Sequence, residues 1–248
     1  AEEPDAEAGF IDLLGVPELA GIRERDGFLE IGATTSFSAI RASESVRSEF
    51  PALAEAAAVI GGGQIQNRAT LGGNMANASP AGDSLPVLLA LDARVVLIGA
   101  AGEREVPYAA FHTGYRRTAI EPGEVIGWIR LPHPPPGCHQ VFRKIGTRRA
   151  QAISKVVVAL VGRLEEGRVA DYRLAAGSVA ATPVRLRAVE EMALGRPHDA
   201  ALAAEAGRLA AASVEPIDDV RSTAEYRRFV LAAVVERATR ELATYTAM

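Results

Sequence analysis

Five residues, Pro132-His133-Pro134-Pro135-Pro136, constrain the fold of this chain more than any other stretch. Proline lacks an N–H and holds φ fixed, so such a run stiffens as polyproline II, ends any β-ladder and cannot sit inside a helix. The chain is therefore read as two parts, residues 1–135 and 136–248. A chain of 248 residues suits one large or two modest domains and can bury a core without disulfides.

Before the prolines, residues 28–32 alternate as a short strand, and residues 36–42 read as a helix opened by a Thr35 or Ser36 cap. Pro51 stands at a favoured first helical position, and the alanine-rich run that follows stops at Gly61-Gly62-Gly63. Asp83 or Ser84 is placed to cap a short apolar helix through Leu91, and residues 94–98 and 125–131 read as strands. After the prolines come a strand over 141–145 and a hairpin with arms 155–164 and 168–179, turning at Glu165-Glu166-Gly167. Thr182 and Pro183 open a helix that Gly195 closes. Ser222 and Glu225 form a capping box before a last helix whose apolar stripe is Tyr226, Val230, Ala233, Val234 and Leu242. A three-stranded antiparallel sheet with helices on one face is the simplest packing for this second part. The fold class is α+β.

Chemistry concentrates in residues 60–83, IGGGQIQNRATLGGNMANASPAGD. In Thr70-Leu71-Gly72-Gly73-Asn74 the paired glycines carry no Cβ and can adopt positive φ, so a loop here would aim successive N–H groups at an anion. Thr70 and Asn74 add side-chain hydrogen bonds. Each bond to a charged oxygen contributes about 1.5–3 kcal/mol, enough for four or five to hold a pyrophosphate without a lysine. A glycine-rich turn with no ligand is the plainer alternative, as helix capping is for Asp83.

The order of these residues resembles the FAD-binding subunit or domain of the molybdenum hydroxylases, the medium subunits of carbon monoxide dehydrogenases and the flavin domain of xanthine dehydrogenases. Further segments carry the same resemblance: Ile11-Asp12-Leu13, residues 16–22 and 31–35, Tyr115-Arg116-Arg117-Thr118, Pro122-Gly123-Glu124, and residues 142–146. Gly177-Ser178-Val179-Ala180 and Asp218-Asp219-Val220-Arg221 extend it nearly to the carboxy terminus. The resemblance implies an FAD-binding domain of the molybdopterin-dehydrogenase type (PCMH/vanillyl-alcohol-oxidase-like) over 1–135 and a smaller α+β domain over 136–248.

It also implies FAD contacts from Thr70, Leu71, Gly72, Gly73 and Asn74, from Asp83 to a ribityl hydroxyl, from Lys144 near the flavin ring, and from the apolar Ile60 and Ile126. Core packing explains the last two equally well. No residue of this chain is expected to be catalytic, because a flavin that exchanges one or two electrons needs positioning and tuning rather than a nucleophile or base. The implied partners are a molybdopterin-binding large subunit and a small subunit carrying 2Fe–2S clusters, in a dimer of heterotrimers. A flavin-free scaffold subunit is the alternative, and a standalone flavin reductase would instead predict activity with NADPH.

Two departures from the family pattern stand out. Its first phosphate loop, of Ala-Gly-Gly-Thr type, precedes the segment that begins here at Phe10, and Ala1–Gly9 contains none. The expectation is either further residues upstream or loss of that loop with weakened FAD binding. Ile65-Gln66-Asn67 stands where the family has Ile-Arg-Asn, so one positive charge is missing. Arg148 and Arg149 are expected in a turn, as solvated surface or, alternatively, in contact with a partner or the flavin loop.

Composition excludes other classes. The single cysteine, Cys138, rules out an internal disulfide and a cysteine-built metal or iron–sulfur site. The four histidines, 112, 133, 139 and 198, share no metal-ligand spacing, and no metal is assigned. A net charge of −4 with interspersed signs offers no stripe for nucleic acid. No apolar run reaches the roughly 18 residues of a membrane span, and no signal-peptide pattern is present, so a cytoplasmic protein is expected.

Overall fold

The computed structural model describes residues 9–148 and 150–242. The first part runs through β1 (Ile22–Arg25) and β2 (Phe28–Gly32), then helices α1 (Phe37–Ala42), α2 (Glu44–Glu49), α3 (Pro51–Val59), α4 (Gly63–Arg68), α5 (Leu71–Asn77) and α6 (Leu85–Ala90). It returns through β3 (Arg94–Gly99), β4 (Gly102–Pro107), the short hairpin β5 (His112–Gly114) and β6 (Arg117–Thr118), and β7 (Val125–Pro132). The second part contains β8 (His139–Ile145), β9 (Val156–Glu165), β10 (Arg168–Gly177), β11 (Val184–Arg185), α7 (Arg187–Ala193), α8 (Ala200–Ala212) and α9 (Ala224–Glu241).

The first sheet is antiparallel in the order β1-β2-β7-β3-β4. One face packs on the helices through Leu29, Ile31, Val95, Leu97, Ile129 and Leu131. On the other, Glu30 is paired across the strands with Arg130 and bonded by Arg23, while Arg94 and Arg130 both reach Glu105. Burial alone would raise the pKa of Glu30, but the hydrogen bonds and charges of Arg130 and Arg23 lower it on balance.

The second sheet has four strands, β11-β10-β9-β8, where the sequence suggested three. Its two-residue edge is the segment expected to begin a helix: Val184 and Arg185 pair with Ala176 and Ala175, and α7 starts only at Arg187. Pro183 closes the approach to an edge strand, a position that needs no N–H, and Gly195 does end α7 with φ +73. The β9–β10 turn is Glu166-Gly167, both at positive φ, the two-residue hairpin type that matches strand twist.

Alternation along β9 explains how the parts join. Val156, Val158 and Leu160 face α7–α9, whereas Val157, Ala159 and Val161 face the core of the first part. Phe142 and Ala175 join this second set. Helices therefore cover both faces of the sheet, with α3 and α6 supplying the side the sequence left open. The two parts share one continuous core along that face.

Two helices in the second part differ from the sequence reading. Residues 200–212 form α8, capped by the Asp199 side chain, a helix the sequence reading lacked. The cap of α9 is Thr223, not Ser222, and the buried stripe is Arg227, Leu231, Val235, Ala238 and Thr239. That shift of one residue leaves Tyr226 exposed, although Leu242 is buried as expected.

Candidate functional site

The segment 70–74 is not a loop. Thr70 is the N-cap of α5, accepting from Gly73 N through Oγ1 at 3.1 Å, and the glycines lie in helical turns. Its backbone donors are committed within the chain: Leu71 N to Thr35 O at 3.2 Å, Gly72 N to Ala33 O at 2.9 Å, Asn74 N to Thr70 O at 3.0 Å. The positive-φ cradle expected from the glycine pair is therefore replaced by a capped helix end. The glycines serve close approach instead. A Cβ on buried Gly72 would lie 2.6 Å from Ala33 Cβ and 2.7 Å from Ala33 O. Gly73 is exposed, and a Cβ there would meet only Thr70 Oγ1, at 3.0 Å.

From this helix a polar row runs into the seam between the two sheets. Asn74 Oδ1 accepts from Ser84 Oγ at 2.8 Å, leaving the Asn74 amide group without an acceptor among the described residues. The neighbouring Asp83 is buried, accepting from Lys144 Nζ at 2.6 Å and Ser154 Oγ at 2.5 Å. Lys144 also donates to Val59 O at 3.0 Å, beside Ile60. Burial raises the pKa of Asp83, opposed by the hydrogen bonds from Lys144 and Ser154 and by the lysine charge. Asp83 does not cap α6; neither does the Ser84 side chain, which is spent on Asn74.

The remaining expected residues sit around this row with different exposure. Ile60 ends α3, half-buried against the first core, and Gly61 follows at φ +55, where a Cβ would press on Ile65 at 2.6 Å. Ile126 is buried in β7 opposite Leu97. It lies one residue before Gly127, whose carbonyl accepts from Ala33 N at 2.9 Å. The first turn of α4 opens on Gly62 and Gly63 with no side-chain cap. Donors on Asn74 and Lys144 and the bare exposed Gly73 suit an anionic, hydroxyl-rich ligand such as a dinucleotide.

Residues 2–134 match the family described as FAD binding domain in molybdopterin dehydrogenase, and residues 141–242 match the CO dehydrogenase flavoprotein C-terminal domain. The chain belongs to the molybdenum hydroxylase flavoprotein family. FAD is its cofactor, and the family members are oxidoreductase subunits. The carbon monoxide dehydrogenase medium chain of Hydrogenophaga pseudoflava is 33% identical over 229 residues, covering 92% of this chain and 79% of that one. The 6-hydroxypseudooxynicotine dehydrogenase complex subunit alpha of Paenarthrobacter nicotinovorans is also 33% identical, over 92% of this chain and 77% of its own. The cyanide-inactivated form of Cu,Mo-CO dehydrogenase superposes with a TM-score of 0.87 at 30% identity, covering 92% of this chain and 80% of that chain.

Against this flavoprotein family, Gln66 acquires a local explanation. It is buried, donating to Ala58 O at 3.0 Å and accepting from Arg41 Nη1 at 3.1 Å. It thus ties α4 to α1 and α3, and a cation from elsewhere in the chain, Arg41, stands against it. Arg148 is exposed and bonds the carbonyls of Ala150 and Gln151, closing its own turn. Arg149, and the stretch Ala1–Ala8 of the leader, lie outside the described residues. Tyr115 is exposed at the tip of the β5–β6 hairpin.

Sequence reasoning missed Ser154, the second donor to Asp83, which stands just before the apolar run of β9 with no motif to mark it. It also missed a cluster of Glu24, Glu49 and His133 contributed by β1, α2 and the proline segment. His133 Nδ1 lies 2.7 Å from Glu49 and Nε2 lies 3.0 Å from Glu24. Two ionised carboxylates can only accept, so both contacts are hydrogen bonds only when the ring carries a proton on each nitrogen. Burial pulls its pKa down, but the two carboxylates raise it on balance.

Proposed function

We propose that this chain is the electron-transfer subunit of a molybdenum-containing hydroxylase or dehydrogenase complex, with FAD held against the Asn74–Asp83–Lys144 row. In this reading a molybdopterin-binding large subunit oxidises the substrate, a small subunit with 2Fe–2S clusters passes single electrons, and this chain delivers them to an external acceptor. Bound FAD supplies the change between one- and two-electron transfer. The observation that carries the reading is the Lys144 ammonium, held by buried Asp83 next in sequence to the Ser84 that binds Asn74, in a chain matched to the flavoprotein family through both parts.

Thr70 and the first turn of α5, with Leu71, Gly72, Gly73 and Asn74, form the wall against the dinucleotide, and Gly73 lets it approach the backbone. Asp83 holds Lys144 in place, and the ammonium favours negative charge on the reduced ring. Ile60 and Ile126 back the site with apolar surface. We place the domain boundary between 135 and 136, the complex as a dimer of heterotrimers, and its location in the cytoplasm.

The test is an absorbance spectrum of the purified full-length chain, with identification of flavin released on heating. Asp83→Ala and Gly73→Val are both expected to lower FAD occupancy. Gly73 is exposed, so the valine reports ligand approach rather than core packing. Full occupancy in both variants would refute this placement. The donors of α5 already spent within the chain favour one second reading, a flavin-free scaffold, and a colourless chain that still co-purified with partner subunits would establish it.

A further inference from the structure

The flavin site leaves two sequence motifs without a role: Gly177-Ser178-Val179-Ala180 at the end of β10, and Asp218-Asp219-Val220-Arg221 before α9. Both connect to Lys144 through a buried chain of hydrogen bonds. Asp219 Oδ1 accepts from Arg227 Nη2 at 2.8 Å, and Arg227, 4% exposed, donates through Nη1 to the carbonyls of Ser178 at 2.8 Å and Lys155 at 3.0 Å. Ser178 donates from its backbone to Pro80 O at 2.8 Å and from Oγ to Ser154 O at 2.9 Å. Ser154, 1% exposed, donates from Oγ to Asp83 Oδ1 at 2.5 Å. The other Asp83 oxygen takes Lys144.

Each link has a physical reason to be made. A buried carboxylate with one oxygen unbonded either takes up a proton or turns both oxygens onto its remaining donor. Either change alters the charge and direction of Lys144. Among the described residues Ser154 is the one donor on Asp83 Oδ1. Its hydroxyl can serve there because Ser178, held at φ +63, fixes the Ser154 carbonyl, and Arg227 in turn fixes Ser178.

We propose that Ser154 is a positioning residue of the flavin site. Backed by Ser178 and Arg227, it holds Asp83 so that the Lys144 ammonium faces the flavin, and through it the carboxy-terminal domain sets FAD affinity and potential. The inference rests on the placement of FAD given under Proposed function.

Its test compares the full-length wild-type chain with Ser154→Ala, Ser154→Thr and Ser178→Gly. FAD dissociation is followed by flavin fluorescence, the midpoint potential by spectroelectrochemical titration, and folding by thermal melting. Losing a hydrogen bond to a charged group, Ser154→Ala is expected to bind FAD roughly tenfold more weakly and to shift the flavin potential. Ser154→Thr keeps the hydroxyl and should restore both values. Ser178→Gly keeps the backbone freedom and should shift both in the same direction by less. A wild-type chain loaded with FAD whose Ser154→Ala variant keeps affinity and potential overturns the inference alone, as does a Thr variant that behaves like Ala. A wild-type chain that takes up no FAD overturns the placement of the cofactor and this inference together.

Discussion

Two adjacent glycines show how differently neighbouring residues can be constrained. Gly72 faces Ala33 with no room for a methyl group, and the nearest obstacles include backbone, which cannot rotate away. Gly72→Ala is expected to lower stability by about 1–3 kcal/mol, and Gly73→Ala by clearly less, in urea denaturation. A similar cost for both would mean that α5 does not pack as described. His112 carries a second residue-scale prediction. Its Nε2 lies 3.0 Å from the Tyr108 hydroxyl, its Nδ1 is buried without a partner among the described residues, and burial pushes its pKa down to about 4. The unfolded chain takes up this proton below about pH 6.5 and the folded chain does not, so stability falls as pH drops from there toward 4. At pH 5 the loss is on the order of 2 kcal/mol, and a His112→Gln variant should lose that part of the acid slope.

Among the elements, α9 gives the sharpest contrast between pattern and structure. Ser222 and Glu225 have the spacing of a capping box, yet Thr223 Oγ1 accepts from Tyr226 N at 3.2 Å while the turn before it is built by Asp219. Thr223→Ala should cost about 1 kcal/mol and Ser222→Ala close to nothing, measured by thermal melting. The reverse order would restore the capping box. The same one-residue shift buries Arg227, a charged residue outside the expected apolar stripe. Its partners, the carbonyls of Lys155 and Ser178 and the carboxylate of Asp219, come from three separate segments. The helix start was legible in sequence to within one residue, and its face was not. Edge strand β11 escaped notice for a related reason, since two residues carry no periodicity.

Across the whole molecule, the Asp83–Lys144 pair links the helical layer of the first part to β8 of the second. The two side chains are 9% and 12% exposed, so removal of one leaves an uncompensated buried charge. Lys144→Met is expected to destabilise the chain by about 3–5 kcal/mol, and the Asp83→Leu/Lys144→Met double variant by less than the single. Chemical denaturation of the wild-type chain, Lys144→Met, Asp83→Leu and the double variant decides this; additive losses would show that the pair does not couple the two parts. The continuous core beneath Val157, Ala159 and Val161 predicts that both parts unfold in one transition.

The sequence by itself determined the α+β class, the end of β7 at the prolines, the long hairpin of β9 and β10 and the stop of α3 at its glycines. These rest on local physics: proline geometry, the apolar run of a doubly covered strand and the clustering of glycine. Only the tertiary structure decided that Thr70–Asn74 is a capped helix end rather than an open loop, because its donors meet carbonyls of Ala33 and Thr35, far away in sequence. It also decided the company of Asp83. A carboxylate reads alike as cap, ligand or ion-pair partner until Lys144 arrives from β8 and Ser154 from the segment before β9, 61 and 71 residues away.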